Sequence, residues 1–136
     1  MNEPLISRKA LSLIRCLKRI EEKRPDNLEV LRHSLDLQDI ISVNLERAIQ
    51  ISVDITAIII AEKTLGSGNT MAEGFRVLED AGILSSELSY KMQKSVAFRN
   101  ISVHEYQEID WEIVFDVIHH HLDNFKDFLK AIEDCC

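Results

Sequence analysis

The sequence predicts an all-α fold: an antiparallel bundle of four to five helices with a long central helix and a short helix. The 136 residues include only four glycines and two prolines, whereas an all-β chain needs many more turn residues. Apolar residues recur at helical spacing along most of the chain, and capping signals divide them into helix-length segments. We expect a single domain over residues 1–136, since soluble domains commonly contain roughly 100–150 residues.

The first predicted helix ends before Pro25. Its expected buried stripe, read from the helical spacing, is Leu5, Leu11, Ile14, Leu17 and Ile20.

The long central helix follows a predicted capping box formed by Asp26 and Glu29. Apolar residues then continue at helical spacing up to a Gly-Ser-Gly turn at 66–68, which supplies a helix C-cap. Ser34 and Asp36 are both reasonable caps for a restart within this pattern.

The remaining segments give a short helix and two longer ones. Thr70 is the predicted cap of the short helix, and Gly82 closes it. Ser85 or Ser86 starts the next helix. The final helix is expected over residues 110–133, with a buried stripe of Trp111, Val114, Ile118, Leu122, Phe125, Leu129 and Ile132.

Charge is unevenly distributed. The formal net charge of −7 is a poor match for a protein that holds nucleic acid by bulk electrostatics. The first segment is nevertheless basic, with Arg8, Lys9, Arg15, Lys18, Arg19, Lys23 and Arg24. The last segment is acidic, with Asp110, Glu112, Asp116, Asp123, Asp127, Glu133 and Asp134. A contact with RNA would therefore be made at a local basic site.

The chain shows no targeting, membrane or metal-binding pattern. Its N-terminus lacks a signal sequence and its apolar runs are too short to cross a bilayer, which predicts a cytoplasmic protein with no membrane partner. The consecutive histidines 119–121 point about 100° apart on a helix, and the three cysteines lack paired zinc spacing. We therefore expect neither a metal site nor a cofactor.

The candidate residues for chemistry lie near the end of the predicted helix that starts at Ser85 or Ser86. One helical stripe there contains Leu88, Met92, Val96, Arg99, Val103 and Tyr106. Arg99 thus continues a line of core residues, while Asn100 and His104 are four apart and share the adjoining face. The spacing predicts that this polar set faces something buried or a partner, because unpaired polar groups there cost free energy.

Arginine and histidine together suit RNA cleavage without a metal ion. The Arg99 guanidinium is suited to phosphate, and His104 can exchange protons near neutral pH. A base, an acid and a cation that stabilises the phosphorane are sufficient for this reaction. Spacing alone leaves open an alternative in which Arg99 and His104 satisfy helix ends and Tyr106 is a buried aromatic.

Two further residues are candidates for supporting roles. Asp54 is a lone carboxylate within an apolar run, where it could pair with Arg99 or Lys94, or cap a buried polar network. Lys94, together with Lys91, lies one to two turns before Arg99 and could extend a path for phosphate. A solvated face is the alternative for both lysines.

The segment Phe98-Arg99-Asn100-Ile101-Ser102-Val103-His104-Glu105-Tyr106, followed by Ile109-Asp110, resembles the signature of the HEPN superfamily. In that signature an arginine is followed by a histidine within about four to six residues, and the tyrosine two positions after the histidine resembles the HepT branch. Residues 44–55 and 71–84 are similar to the long helix and the short helix of that family. The resemblance therefore covers nearly the whole chain.

The resemblance implies a HEPN-like homodimer that cleaves RNA, either mRNA or tRNA, as a metal-independent endoribonuclease toxin. By the same resemblance, Arg99 would bind phosphate, His104 would act as acid or base, and Asn100 would orient His104. The family implies an MntA-type nucleotidyltransferase antitoxin that transfers AMP to Tyr106. Such an adduct would add bulk and negative charge inside the cleft.

The helix geometry also favours a dimer. Arg99 and His104 are about 140° apart on an ideal helix, so two copies across a two-fold axis would gather four groups around one phosphate. The alternative is a non-catalytic helical module that binds a substrate or nucleotide beside a nucleotidyltransferase. The intact Arg99/His104 pair favours the nuclease, whereas the acidic net charge favours the module.

Overall fold

The computed structural model describes residues 3–66, 70–104 and 109–135, with side chains for residues 4–66, 70–98 and 109–135. These residues form seven α-helices and no strand. The helices are α1 (Glu3–Lys23), α2 (Leu28–His33), α3 (Leu35–Glu62), α4 (Met71–Asp80), α5 (Ser86–His104), α6 (Trp111–His120) and α7 (Asp123–Cys135). The all-α prediction is confirmed, including a long central helix, α3, and a short helix, α4.

The central helix α3 contacts α1, α2, α4, α5 and α7. α3 runs antiparallel to α1. Lys9 near the start of α1 contacts Asp54 in the second half of α3, whereas Glu22 near the end of α1 lines a groove with Asn44 in the first half of α3. The short helix α4 approaches α3 most closely at Gly74, where an added Cβ would lie 3.0 Å from Thr56 Cγ2. This close approach requires a residue without a side chain.

The core is aliphatic with a small aromatic centre. Phe75 of α4 and Phe128 of α7 are fully buried and pack edge to face, with ring centroids 5.8 Å apart. Around them lie buried residues from every helix, among them Leu13, Leu31, Ile41, Ile55, Ile59, Leu78, Met92 and Ile118.

Side-chain caps define several helix starts. Thr70 Oγ1 accepts a hydrogen bond from the Glu73 amide, and Ser85 Oγ accepts one from the Leu88 amide. Ser34 Oγ caps α3 by accepting from the amide of Leu37. The predictions at Thr70, Ser85 and Ser34 are thereby confirmed.

The start of α2 corrects a prediction. The N-cap is Asn27 rather than Asp26, because the Asn27 side chain accepts from the Glu29 amide at 2.7 Å. Asparagine is as good an N-cap as aspartate, and it stands directly before the first helical residue, Leu28.

The helix expected over 110–133 is divided in two, which, with the separate α2, raises the helix count above the predicted four to five. The amides of Asn124 and Phe125 bond the carbonyls of His121 and Leu122, three residues back instead of four. This tightened turn redirects the chain. As a result α6 packs mainly on α2, whereas α7 packs on α5 and α3.

The buried stripe of α1 also differs from the prediction. Leu11 and Ile14 are 56% and 49% exposed, whereas Leu13 is fully buried. Leu17 and Ile20 are buried as expected. Apolar residues occupy two neighbouring faces of this helix, and only one of them meets α3.

No helix among the described residues is long and apolar enough to cross a membrane.

Candidate active site

The helix α5 continues to His104, so Arg99, Asn100 and His104 all lie on its last two turns. The sequence predicts that these three residues lie on adjoining faces of one helix, which requires that α5 continue as far as His104. Tyr106 lies outside the described residues.

The line that leads to Arg99 is buried. Leu88, Met92 and Val96 are 9%, 0% and 3% exposed, and Arg99 follows three residues after Val96. Helical residues three apart lie on the same face. The backbone of α5 therefore places Arg99 at the continuation of a core-facing line.

Contacts on three sides fix α5. The buried Ser89 hydroxyl donates to the Phe75 carbonyl of α4 at 3.3 Å and accepts from Gln93 at 3.0 Å. Near the other end, Phe98 lines a small cavity with Ser42, Leu45 and Glu46 of α3 and with Ile109 and Val114. The residue immediately before Arg99 is thus held against α3 and the start of α6.

Lys94 lies on a concave surface next to this end of α5. It lines a cavity of about 300 Å³ together with Tyr90, Phe98, His121 and others from α3, α6 and α7. Its Nζ atom lies 5.3 Å from the centroid of the Tyr90 ring, a cation–π contact. Its neighbour Lys91 is in an ion pair with Glu87 at 3.0 Å. Of the two lysines, Lys94 is the one that no carboxylate neutralises within the described residues.

Asp54 has different partners from those expected. Its carboxylate contacts Lys9 Nζ of α1 at 3.4 Å and accepts from Gln50 Nε2 at 2.9 Å. The pair therefore joins α1 to α3 rather than α3 to Lys94 of α5. A supporting role for Asp54 in catalysis stays a prediction.

Two of the three consecutive histidines, His119 and His121, make separate contacts. His119 Nε2 lies 2.8 Å from the Pro25 carbonyl oxygen, and its ring packs on Phe115. His121 Nε2 lies 3.2 Å from an Asp116 carboxylate oxygen. Within the described part of the chain, no group of three His, Cys, Asp or Glu side chains is arranged to hold a metal ion.

A basic groove between α1 and α3 emerges only in the structure. We define the α1/α3 groove as the concave surface, about 630 Å³ in volume, lined by Ser12, Arg15, Cys16, Lys18, Arg19, Glu22, Asn44, Arg47 and Ile51. Sequence reasoning identified the basic residues of α1 but missed Arg47, which the antiparallel packing of α3 brings beside them.

Cys16 lies at the floor of this groove. Burial raises the pKa of its thiol, and the nearby positive charge of Arg47 partly offsets that rise. The neutral thiol is therefore the dominant form at neutral pH, and Cys16 acts as a small apolar residue between the two helices.

Comparison with known proteins decides the family. The family described as "Ribonuclease HepT-like" matches residues 13–132. The chain belongs to the HepT-like ribonuclease family. The HEPN-type resemblance of residues 98–106 is thereby confirmed, as is the ribonuclease class.

Individual HepT relatives match over almost their whole length. An mRNA nuclease HepT from Shewanella oneidensis is 33% identical over 133 residues, which cover 98% of both chains. A tRNA nuclease HepT from Aphanizomenon flos-aquae is 30% identical over 131 residues, or 96% of this chain and 89% of the relative.

A solved HepT-like structure has the same fold. A tri-AMPylated Shewanella oneidensis HEPN toxin in complex with MNT antitoxin superposes with a TM-score of 0.91 and 33% identity. The match covers 98% of this chain and 99% of that one. The helical bundle described above is therefore the HepT bundle.

Proposed function

We propose that this chain is a metal-independent endoribonuclease, the toxin of a toxin–antitoxin pair, which acts as a homodimer in the cytoplasm. The observation that supports it is the position of Arg99, Asn100 and His104 on the last turns of α5, in a chain similar to two HepT nucleases from end to end. Its substrate is RNA, either mRNA or tRNA.

The chemistry is an internal transesterification. One His104 removes the proton from a ribose 2′-hydroxyl, whose oxygen attacks phosphorus, while the 5′-oxygen leaves and receives a proton from the second His104. Arg99 stabilises the charge on the phosphorane. Asn100 orients His104 from one helical turn away. The products are a 2′,3′-cyclic phosphate and a 5′-hydroxyl.

The proposed partner is a nucleotidyltransferase antitoxin that transfers AMP to Tyr106. The AMPylated state of the Shewanella oneidensis toxin in its antitoxin complex supports this regulation. The phenol oxygen of Tyr106 would attack the α-phosphate of ATP and release pyrophosphate. The resulting phosphodiester places negative charge where an RNA phosphate would otherwise bind.

The first experiment measures RNA cleavage in the presence of EDTA. Wild-type protein should cut RNA, whereas Arg99→Ala and His104→Ala should not. Arg76→Ala is the matched control, because Arg76 is an exposed arginine on α4, away from the end of α5. Wild-type protein that requires a divalent metal, or variants that cleave like the control, would overturn the proposed reaction.

The second experiment separates modification from activity. After incubation with the nucleotidyltransferase and ATP, intact-mass spectrometry should show one or more AMP additions, each of about 329 Da by the stoichiometry of AMP transfer. Tyr106→Phe should receive none. An adduct that persists on the Tyr106→Phe variant would place the modified residue elsewhere and leave the nuclease assignment standing.

A further inference from the structure

We infer that the α1/α3 groove binds the phosphate backbone of the RNA substrate beyond the cleavage site. This inference rests on the proposed ribonuclease function and adds a binding surface that Arg99 and His104 do not supply. Its ligand class is a single-stranded polyanion. Three properties of the groove support it, namely its charge, its lack of neutralising partners and its position on α3.

Four cations line the groove against one carboxylate. Arg15, Lys18 and Arg19 come from α1 and Arg47 from α3, while Glu22 is the acidic member. A concave surface that gathers charges of one sign concentrates counter-ions more strongly than the same charges spread apart. The groove therefore carries local positive charge in a chain whose net charge is −7.

The four groove cations are also unpaired. Among the described residues none of them makes an ion pair within 4 Å, whereas two nearby cations have partners. Lys9 of α1 contacts Asp54 at 3.4 Å, and Arg24, just after α1, donates to the Ile118 carbonyl oxygen at 2.7 Å. The groove cations are therefore available for a ligand.

The groove also has polar groups suited to phosphate. Ser12 and Asn44 add a hydroxyl and an amide, which are common donors to phosphate oxygens. The Asn44 amide donates one hydrogen bond to the Ile40 carbonyl oxygen, which leaves its second amide hydrogen available. Arginine guanidinium groups bind phosphate oxygens bidentately, and three of them, Arg15, Arg19 and Arg47, line the groove.

The groove lies at the level of the active end of α5. Glu46 of α3 lines the small cavity that holds Phe98, and the next residue, Arg47, lines the groove. At about 100° per residue, Ser42, Leu45 and Glu46 of the cavity point to the opposite side of α3 from Asn44, Arg47 and Ile51 of the groove, so the two surfaces lie at the same level on opposite sides of α3. A strand leaving the end of α5 therefore reaches the groove by passing around α3, whose diameter with side chains is about 10–12 Å.

The experiment measures RNA binding as a function of salt. A fluorescein-labelled oligonucleotide with 2′-deoxy substitution cannot be cleaved, and its binding is followed by anisotropy. For Arg15→Gln/Arg19→Gln/Arg47→Gln, the slope of log K against log salt should fall in magnitude by about 2, near 0.7 per lost contact. That slope corresponds to roughly 50-fold weaker binding at about 0.15 M salt. With cleavable RNA, the triple variant should raise KM by a similar factor and leave kcat within about twofold.

The control variant removes the same charge elsewhere. Lys63→Gln/Arg76→Gln/Lys130→Gln also lowers the net charge by three, and these exposed residues lie outside the groove. Its salt slope and KM should stay close to wild type. Equal effects of the two triple variants would show that bulk charge and not the groove controls binding, which would overturn the inference.

Two other outcomes are also decisive. If wild-type protein cleaves RNA and the groove variant keeps its KM and salt slope but loses binding to the nucleotidyltransferase, the groove is a protein-docking surface and the inference is wrong. If wild-type protein neither binds nor cleaves RNA, the proposed function itself fails. The cleavage assay with wild-type protein therefore separates the two failures.

Discussion

The two halves of α5 carry different kinds of residue on one continuous helix. In the first half, Met92 and Val96 are buried in the core and Ser89 bonds the backbone of α4. In the second half, the same helix continues without a break through Arg99 to His104. The first half is anchored by packing, and this anchoring positions the second half.

The proposed catalytic residues therefore follow a segment of α5 that is held in place by its own contacts. A helix held firmly by its first three turns can carry charged side chains on its last two turns without losing its place. We therefore expect changes in the second half to affect catalysis, and changes in the first half to affect stability. Four predictions test that division, from the largest effect to the smallest.

The largest effect is expected from His104→Ala. Loss of a general acid–base group lowers kcat by roughly 10²- to 10⁴-fold. The free energy of unfolding should change by less than about 0.5 kcal/mol, because His104 is the last residue of α5 and helix ends contribute little to global stability. Single-turnover cleavage and urea denaturation of the same preparation measure both quantities. A strongly destabilised variant would contradict the expectation that the second half of α5 affects catalysis and not stability.

Met92→Ala should show the opposite behaviour. Met92 is fully buried, and truncating such a side chain costs roughly 2–5 kcal/mol of unfolding free energy. Under conditions where the variant is fully folded, its kcat should match wild type. The midpoint of urea unfolding and the active-site-normalised kcat provide the comparison. A tenfold loss of kcat in fully folded protein would show that packing and chemistry are not separable.

Ser89→Ala tests the link between α5 and α4. The variant loses the hydrogen bond to the Phe75 carbonyl and the one received from Gln93, which should cost about 2 kcal/mol, near 1 kcal/mol for each bond. Thermal unfolding should therefore shift down by several degrees, since 1 kcal/mol shifts Tm by roughly 2–8 °C in domains of this size range. Ser95→Ala is the control, because Ser95 bonds only its own helix, at the Lys91 carbonyl. An equal shift in the control would remove the special role of Ser89.

The smallest effect is expected on α3, against which α5 packs. Thr56 is buried, and its hydroxyl oxygen has no hydrogen-bond partner in the part of the chain that the structure describes. Thr56→Val keeps the Cγ2 atom that touches Gly74 and removes the unsatisfied hydroxyl, so it should raise the free energy of unfolding by about 1 kcal/mol. Urea denaturation measures this change. Destabilisation would mean that the hydroxyl is satisfied in solution, for example by a bound water.

Local signals predicted much of this fold. The caps at Thr70, Ser85 and Ser34 and the helix end before Pro25 follow from preferences that act within one turn. The sequence also indicated the proposed catalytic end of α5, because an arginine in line with Met92 and Val96 is visible from spacing alone. The assignment to a ribonuclease family needed the resemblance of residues 98–106, since spacing left a structural alternative open.

The remaining features depend on contacts between distant residues. Periodicity could not decide which apolar face of α1 is buried, because Leu11 and Leu13 both belong to helically spaced sets. The turn at His121 contains neither glycine nor proline, so no local signal in the sequence marks the division between α6 and α7. Arg47 reaches the basic residues of α1 only through the register of α1 against α3. These features follow from tertiary packing, which no single segment encodes.

The turn between α6 and α7 has a consequence for local opening. It leaves α6 paired mainly with the six-residue helix α2, while α7 stays attached to α5 and α3. Native-state amide exchange should therefore protect α3 and α7 to the level of global unfolding, and α2 and α6 less, as one cooperative unit. Val114 of α6 and Phe98 of α5 line the same cavity. Local opening of α2 and α6 would therefore weaken the packing around Phe98, the residue before Arg99, while the rest of the bundle stays folded.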